Sequence, residues 1–367
     1  MQVVCSFVGG AGHLVPQLPL HRALADAGHE LVLVGRESAT RHAPTQLYQQ
    51  VRTAADRRHH VTATITPLQP VDEDAERAVV GQYFAGDAAL RSAAAIESLL
   101  PGADLVICDE LDFGAMAMAQ KAGIPTVVVS VIASGALVRP EALTAALDRL
   151  REKLGGSQTV RPQGDHFVVP FHSSMRDPRF PAPQDALWMR PDSGARVQPD
   201  GSVIATLGTE FNTESGDLFP RMLDALAMLG DPSRVAIGRD LDPARFGPQP
   251  PSVRVEQYLD FESVLPRASV VLHHGGSGLL LQSILAGVPQ IVFPMGADQP
   301  FNATTVTRLG LGIALDASAA TAGVIADAAR GLQVDSGVRE RAGELRSSVL
   351  ALPSPAEVAA RIEALFT

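Results

Sequence analysis

The chain has 367 residues, more than one ordinary hydrophobic core accommodates and enough for two domains of typical size. Apolar residues make up 46% and charged residues 19%, which excludes global disorder and leaves ample material for buried cores. A net charge of −10 argues against nucleic acid or an anionic membrane surface as the main partner, because both call for clustered lysine and arginine.

The two cysteines, Cys5 and Cys108, each lie in an apolar run and read as buried free thiols of a reducing compartment. The N-terminus lacks a basic n-region, and no apolar run approaches the roughly 18 residues of a membrane span. The sequence therefore predicts a cytoplasmic protein with no stable membrane insertion.

The first predicted element is a buried strand, QVVCSFVG at 2–9, which empties into the turn GGAGHLVP at 9–16. A helical pattern follows through Leu18, Leu20, Leu24 and Ala25 and stops at Gly28. HELVLVG is the second strand. Strand, glycine turn, helix and strand begin a doubly wound α/β sheet. As a dinucleotide fingerprint the turn is poor: Gly9, Gly10 and Gly12 miss the G-x-G-x-x-G spacing, although Glu37 could stand as the ribose acid. As a plain sharp turn it explains the glycines and leaves His13 idle.

Residues 36–100 are polar and weakly patterned. RRHH at 57–60 reads as a solvated cluster, since a metal site needs more convergent ligands. Residues 86–100 predict a helix with Asp87 as N-cap and Leu90, Ala94 and Ile96 on its apolar side. LVIC is a strand with Asp109 at its carboxyl end, where open parallel sheets place functional groups. A helix cap is the competing reading of Asp109. A helix through Met116 and Met118, the strand TVVVS and a helix over 141–154 come next. Residues 155–201 are dense in Gly, Pro, Ser and Asp and predict a linker near 172–200, with Trp188 packing within it.

The strand VIATL opens the second half, with Gly208 and Thr209 as its exit turn, before a helix at 217–229 and the strands RVAIG and VRVEQYL. The stretch from Val270 to Pro300, VVLHHGGSGLLLQSILAGVPQIVFPMGADQP, reads as strand, glycine turn, helix, strand. Three glycines within four positions let backbone N–H groups approach a ligand, and the helix start adds its positive dipole end. The predicted occupant is a diphosphate. His274 adds a donor, and Gln282, Asp298 and Gln299 offer groups suited to hydroxyls. The last segment, 354–366, is a helix with a capping box in Ser354 and Glu357.

HHGGSG, Gln282, AGVPQIVFP and GADQP, in that order, resemble the donor-binding signature of glycosyltransferase family 1, above all the bacterial enzymes that glycosylate antibiotics and other natural products. The resemblance implies the GT-B fold, two facing doubly wound domains with mainly parallel sheets. It places an acceptor-binding domain at 1–185, a linker at 186–200, a nucleotide-sugar domain at 201–350 and a last helix at 351–367 that packs back on the first domain. It makes GGAGH the turn that carries the catalytic histidine. His13 is then the general base, suited by an ordinary imidazole pKa of about 6.5. Asp109 is the acid that orients it, with Glu110 and Asp112 as competing neighbours.

On the donor side the resemblance names Gly208, Thr209, His274, Gly276, Ser277, Gly278, Leu279, Gln282, Asp298 and Gln299, with Tyr258 and Leu259 at the base-binding turn. Three positions depart from the family pattern. Asp260 replaces the usual proline, Gln282 a common glutamate, and Leu279 the usual Thr or Ser, for which Ser277 is the nearest substitute. Gly12, Tyr83, Phe84 and Phe113 are the acceptor-side candidates. The implied reaction is inverting transfer from a TDP- or UDP-sugar, as co-substrate, to a small natural-product acceptor such as a polyketide. It needs neither cofactor nor metal. A transferase acting on a lipid-linked or cell-wall acceptor, and a non-catalytic nucleotide-sugar-binding or auxiliary partner, are the alternatives. The sugar, the base, the acceptor and its reacting atom, a homodimer and an activator protein all stay open.

Overall fold

A computed structural model describes residues 1–54, 61, 64–192 and 197–365. The RRHH cluster at 57–60 and Phe366 lie outside the described residues. The chain forms two compact units. The first gathers Met1–Arg57, Glu73–Asp192 and Val349–Thr367, and the second Arg58–Asp72 and Ser193–Ser348. Among the described residues, no helix is long and apolar enough to cross a membrane.

The first unit holds a seven-stranded parallel sheet of β1 (Gln2–Ser6), β2 (Glu30–Arg36), β3 (Gln50–Ala54), β4 (Leu105–Asp109), β5 (Thr126–Val129), β6 (His166–Val169) and β7 (Leu187–Trp188). Their order is β3-β2-β1-β4-β5-β6-β7. Helices cover both faces, so the central strands are unbroken apolar runs: every residue of β4 and β5 is buried. Cys5 and Cys108 are free thiols inside these strands. The order reverses between β1 and β4, so the connections leaving them run to opposite faces and open a crevice beyond the strand ends.

Two expectations for this unit need correction. A helical run from Glu73 precedes the predicted helix at 86–100 and passes into a π-helical stretch at Val80–Ala88, but the backbone breaks at Gly86, close to the predicted start, before the chain continues into the helix Ala89–Ile96. Gly86, not Asp87, takes the non-helical conformation at that start, so Asp87 is not its cap. The buried face of Ala89–Ile96 is Ala89, Ser92, Ala93 and Ile96, one position off the predicted Leu90 and Ala94. In the segment predicted as linker, Leu187 and Trp188 pair with Val168 and Val169, so the sheet continues through it. A strand of two residues has no periodicity to read.

The final helix, Pro355–Ala364, packs Val358, Ala359 and Ile362 into the core that contains Leu20 and Leu24 of the first unit. Its start is fixed by the Ser354–Glu357 capping box, and Glu363 near its end lies 2.6 Å from His29 Nε2.

The second unit holds a six-stranded parallel sheet of β8 (Ser202–Thr206), β9 (Ser233–Ala236), β10 (Val253–Glu256), β11 (Ala268–His273), β12 (Gln290–Val292) and β13 (Gly312–Ala314). Its order, β10-β9-β8-β11-β12-β13, again reverses between the first strand and the fourth. Leu68, early in sequence, belongs here: its N–H donates to Asp217 Oδ1 at 3.1 Å and its side chain packs on this unit's core. The helix Ser277–Ala286 follows β11 and ends at Gly287, whose φ of +71° is the left-handed closure expected of glycine.

Candidate active site

In the first unit the segment leaving one strand at the reversal brings a polar side chain to the end of the other. β1 leads into a four-residue helix, Ala11–Leu14, that carries His13. β4 ends in Asp109, which is wholly buried. His13 Nδ1 lies 3.1 Å from Asp109 Oδ1. The same carboxylate accepts the N–H of Val8 at 2.9 Å and of Leu111 at 2.8 Å, so its position is fixed from three sides. A proton on Nδ1 facing the carboxylate leaves the lone pair on Nε2, the tautomer a base needs. Gly9 makes room for this ring, because a Cβ there would fall 2.0 Å from His13 Cδ2.

The neighbouring acids have other tasks. Glu110 accepts from Ser130 Oγ at 2.8 Å and from the N–H groups of Val131 and Ile132 at 2.6 and 2.7 Å, pinning the loop after β5. Burial pushes its carboxyl up, opposed by the Arg176 guanidinium. Asp112 caps the helix Phe113–Ala122 through Ala115 N–H at 3.0 Å and accepts from Ser6 Oγ at 2.5 Å. Burial and then the Asp109 charge push its carboxyl up to about 6. The helix-cap role thus falls to Asp112 and leaves Asp109 to the imidazole. Gln17 Nε2 donates to His13 O at 2.8 Å and to Ser6 O at 3.3 Å, bracing the turn from below. Sequence reasoning missed Gly9, Ser6 and Gln17. Gly9 stands in the glycine turn, where its part beside the imidazole went unread, Gln17 lies one helical turn after His13, and only Ser6 lacks a local signal, its partner Asp112 standing 106 residues away.

On the outer side, the Phe84 ring lies 5.9 Å from that of His13 and nearly parallel, at 17°. Tyr83 meets Phe84 edge-on at 5.2 Å. Both sit in the π-helical stretch, and widened turns of that kind recur at functional sites. Gly12 faces open space. Phe113 requires correction: it is completely buried in the first turn of its helix and belongs to the interior, not to an open acceptor surface.

In the second unit the exit turns of β8 and β11 lie side by side. His274 is enclosed by two glycines: a Cβ on Gly208 would come 2.6 Å from its ring and a Cβ on Gly276 2.5 Å. Its Nδ1 is buried and, among the described residues, has no hydrogen-bond partner. Burial, and next the adjacent His273, push the imidazole down to about 3, so it is neutral at working pH. His273 points inward, with Nε2 2.9 Å from Gln290 Oε1 and Nδ1 accepting the Gly275 N–H at 3.1 Å. The two adjacent histidines therefore divide into one that holds the strand end and one beside the glycine turn.

Gly276 is the N-cap of Ser277–Ala286 and supplies no side chain to its first turn. By helix geometry the opening N–H groups lack intrahelical acceptors and suit an anion. Ser277, expected to substitute for a phosphate-binding hydroxyl, donates instead to Asp298 Oδ2 at 2.5 Å. Asn302 Nδ2 joins Asp298 Oδ2 and Gly275 O, each at 2.8 Å, and so ties the glycine turn to the loop after β12. Gln299 also requires correction: it is buried, and its Oε1 accepts the Met295 N–H at 2.7 Å rather than facing a ligand. Thr209 is exposed, while Gly278, Leu279 and Gln282 are partly exposed along the helix start. Tyr258 is half-exposed and Leu259 buried, so only the backbone of Leu259 can face a ligand. Among the described residues, no group of three or more His, Cys, Asp or Glu is placed to hold a metal ion.

A histidine–carboxylate pair on one doubly wound unit and a glycine-walled helix start on the other define a two-unit α/β enzyme of the GT-B kind. Residues 223–365 match the family of erythromycin biosynthesis protein CIII-like C-terminal domains. Elloramycin glycosyltransferase ElmGT of Streptomyces olivaceus is 30% identical over 100% of this chain and 98% of its own. L-demethylnoviosyl transferase of Streptomyces niveus is 30% identical over 86% of this chain and 85% of its own. The solved structure of spinosyn rhamnosyltransferase SpnG complexed with thymidine diphosphate shares the fold, with a TM-score of 0.79 at 21% identity over 99% of this chain and 100% of SpnG. The chain belongs to the bacterial natural-product glycosyltransferases of glycosyltransferase family 1 and is itself a glycosyltransferase.

Proposed function

We propose that the protein transfers a sugar from a thymidine or uridine diphosphate sugar to a small natural-product acceptor, with inversion at the anomeric carbon and without a metal. The 3.1 Å pair of His13 and Asp109 carries this reading. A hydroxyl is a weak nucleophile and must lose its proton as it attacks. His13 Nε2 takes that proton, and the fixed Asp109 carboxylate stabilises the imidazolium that results. As the new bond to the anomeric carbon forms, the bond to the diphosphate oxygen breaks on the opposite side, which inverts the configuration.

The leaving diphosphate gains negative charge. The N–H groups that open Ser277–Ala286, together with the uncharged His274, receive it with no reorganisation at the moment of reaction. Tyr258 and the Leu259 backbone take the base, and the first unit takes the acceptor beside Phe84 and Gly12. The activities named for ElmGT and L-demethylnoviosyl transferase support an antibiotic aglycone as acceptor, and the thymidine diphosphate in the SpnG structure supports a thymidine donor. A cytoplasmic location fits this role.

His13→Ala tests the proposal. Turnover should fall by about 10²- to 10⁴-fold while thymidine diphosphate binds as tightly as before. Full turnover in the variant, or a product that keeps the donor's anomeric configuration by NMR, would refute it.

A further inference from the structure

The base end of the donor site contains a contact that the diphosphate chemistry leaves unused. Tyr258 is 50% exposed, and the burial of Leu259 beside it fixes the backbone so that the ring projects outward. Arg239 lies in the turn leaving β9 and sets its guanidinium carbon 5.2 Å from the centre of that ring. Two anchors hold the turn in place. Gln257 Nε2 donates to Arg239 O at 3.2 Å and to Leu241 O at 3.0 Å, joining the turn to the residue before Tyr258. Asn212 Nδ2 donates to Ile237 O at 3.0 Å, and Gly238, with φ +84°, fits against that amide, where a Cβ would come within 2.1 Å. The strand on the other side is held as well, by the two-point pairing of Arg234 with Glu256 at 2.7 and 2.9 Å.

We infer that Arg239 is a positioning residue of the donor site, its guanidinium covering one face of Tyr258 so that the opposite face is presented to the nucleobase. The inference rests on the reading of Tyr258 as the base-binding aromatic. A half-exposed ring in water loses rotamer freedom when a base stacks on it, and that loss weakens binding. A cation already seated on one face removes part of the cost in advance and is itself favoured by the ring's negative face. The effect belongs to the base and not to the phosphates. Arg239 therefore tunes donor affinity, raising donor KM when lost and leaving kcat unchanged.

The test is calorimetry on the full chain with thymidine diphosphate and, separately, inorganic pyrophosphate, for the wild type, Arg239→Ala, Tyr258→Ala and the double variant. Tyr258→Ala should weaken thymidine diphosphate by roughly tenfold or more. Arg239→Ala should weaken it by about two- to fivefold and leave pyrophosphate unchanged. In the Tyr258→Ala background, Arg239→Ala should add nothing, because its effect passes through the ring. Equal weakening of nucleotide and pyrophosphate would mean plain charge attraction and overturn the inference, as would an additive loss in the double variant or no loss at all. Unchanged nucleotide affinity in Tyr258→Ala alone would remove the base-site reading itself, and the role of Arg239 with it.

Discussion

Gly9 and Gly208 perform the same service in different units, each leaving space for an imidazole that a side chain would displace. At Gly9 a methyl group would overlap the His13 ring, so Gly9→Ala must turn the ring away from Asp109. Misplacement on the scale of an ångström costs about 10²-fold in rate. We expect kcat to fall by about that factor while thymidine diphosphate affinity stays within twofold, checked by initial rates and calorimetry on the same preparation. Asp109→Asn separates geometry from charge. The carboxylate accepts from Val8 and Leu111 and faces His13 Nδ1; an amide has one oxygen and one donor group, so it cannot satisfy all three. The variant should lose about 10³- to 10⁴-fold in kcat/KM through the wrong histidine tautomer. A loss under tenfold would mean that Asp109 only supports the fold.

At the scale of elements, β11 shows what sequence can and cannot convey. Its apolar run and the following glycines were legible because a strand buried on both faces must be continuously hydrophobic and the turn after it needs positive φ at Gly275 (+94°). The sequence points to His274 as the histidine beside the glycine turn; what turns His273 inward was not legible, because that is Gln290, one strand over. The same limit explains the other gaps: Asp112 is paired by Ser6, 106 residues away, Phe113 opens a helix whose first turns are buried on every side, Gln299 lies between two partly exposed neighbours, and the π-helical turns at Val80–Ala88 break the period on which helix reading depends. Burial of His273 has a thermodynamic consequence. Its folded pKa is pushed down to about 4 from an ordinary 6.5, so the unfolded chain binds the extra proton between those values. Its contribution is fully present above pH 6.5 and is lost as pH falls towards 4, by about 3 kcal/mol in all. His21 and His274, each pushed down by burial to about 3, act in the same direction, whereas Asp112 and Glu110, pushed up, act in the opposite one. His273→Gln keeps these four groups, relieves the part of the His274 shift that His273 causes, and removes its own titration. Urea unfolding of wild type and variant should therefore converge from pH 6.5 to 4, by about 1.4 kcal/mol per pH unit; parallel curves would show that His273 does not titrate in this range.

At the scale of the whole molecule, each unit has its own hydrophobic core, one built around β1 and β4 and the other around β8 and β11. The chain reaches the first core three times, the last time through the helix Pro355–Ala364, far in sequence from the strands it covers. Ile362 in that helix is fully buried, and cutting it to alanine removes three methyl or methylene groups from a packed site. The expected cost is about 2–5 kcal/mol. The single tryptophan, Trp188, lies in β7 and so reports the first unit by fluorescence, while the glycine turn and helix start proposed for the diphosphate belong to the second. Ile362→Ala should therefore move the urea midpoint seen by Trp188 well below that of the wild type and leave thymidine diphosphate affinity within twofold in the absence of urea. Thymidine diphosphate at 100 times its dissociation constant should add about 2.7 kcal/mol to the unfolding of the unit that binds it. If the ligand shifts the Trp188 midpoint by that full amount, the two cores unfold as one and binding stabilises both. If it shifts a second transition, seen by circular dichroism, and leaves Trp188 behind, the donor site and the core under the last helix are energetically separate, as their distinct side-chain clusters imply.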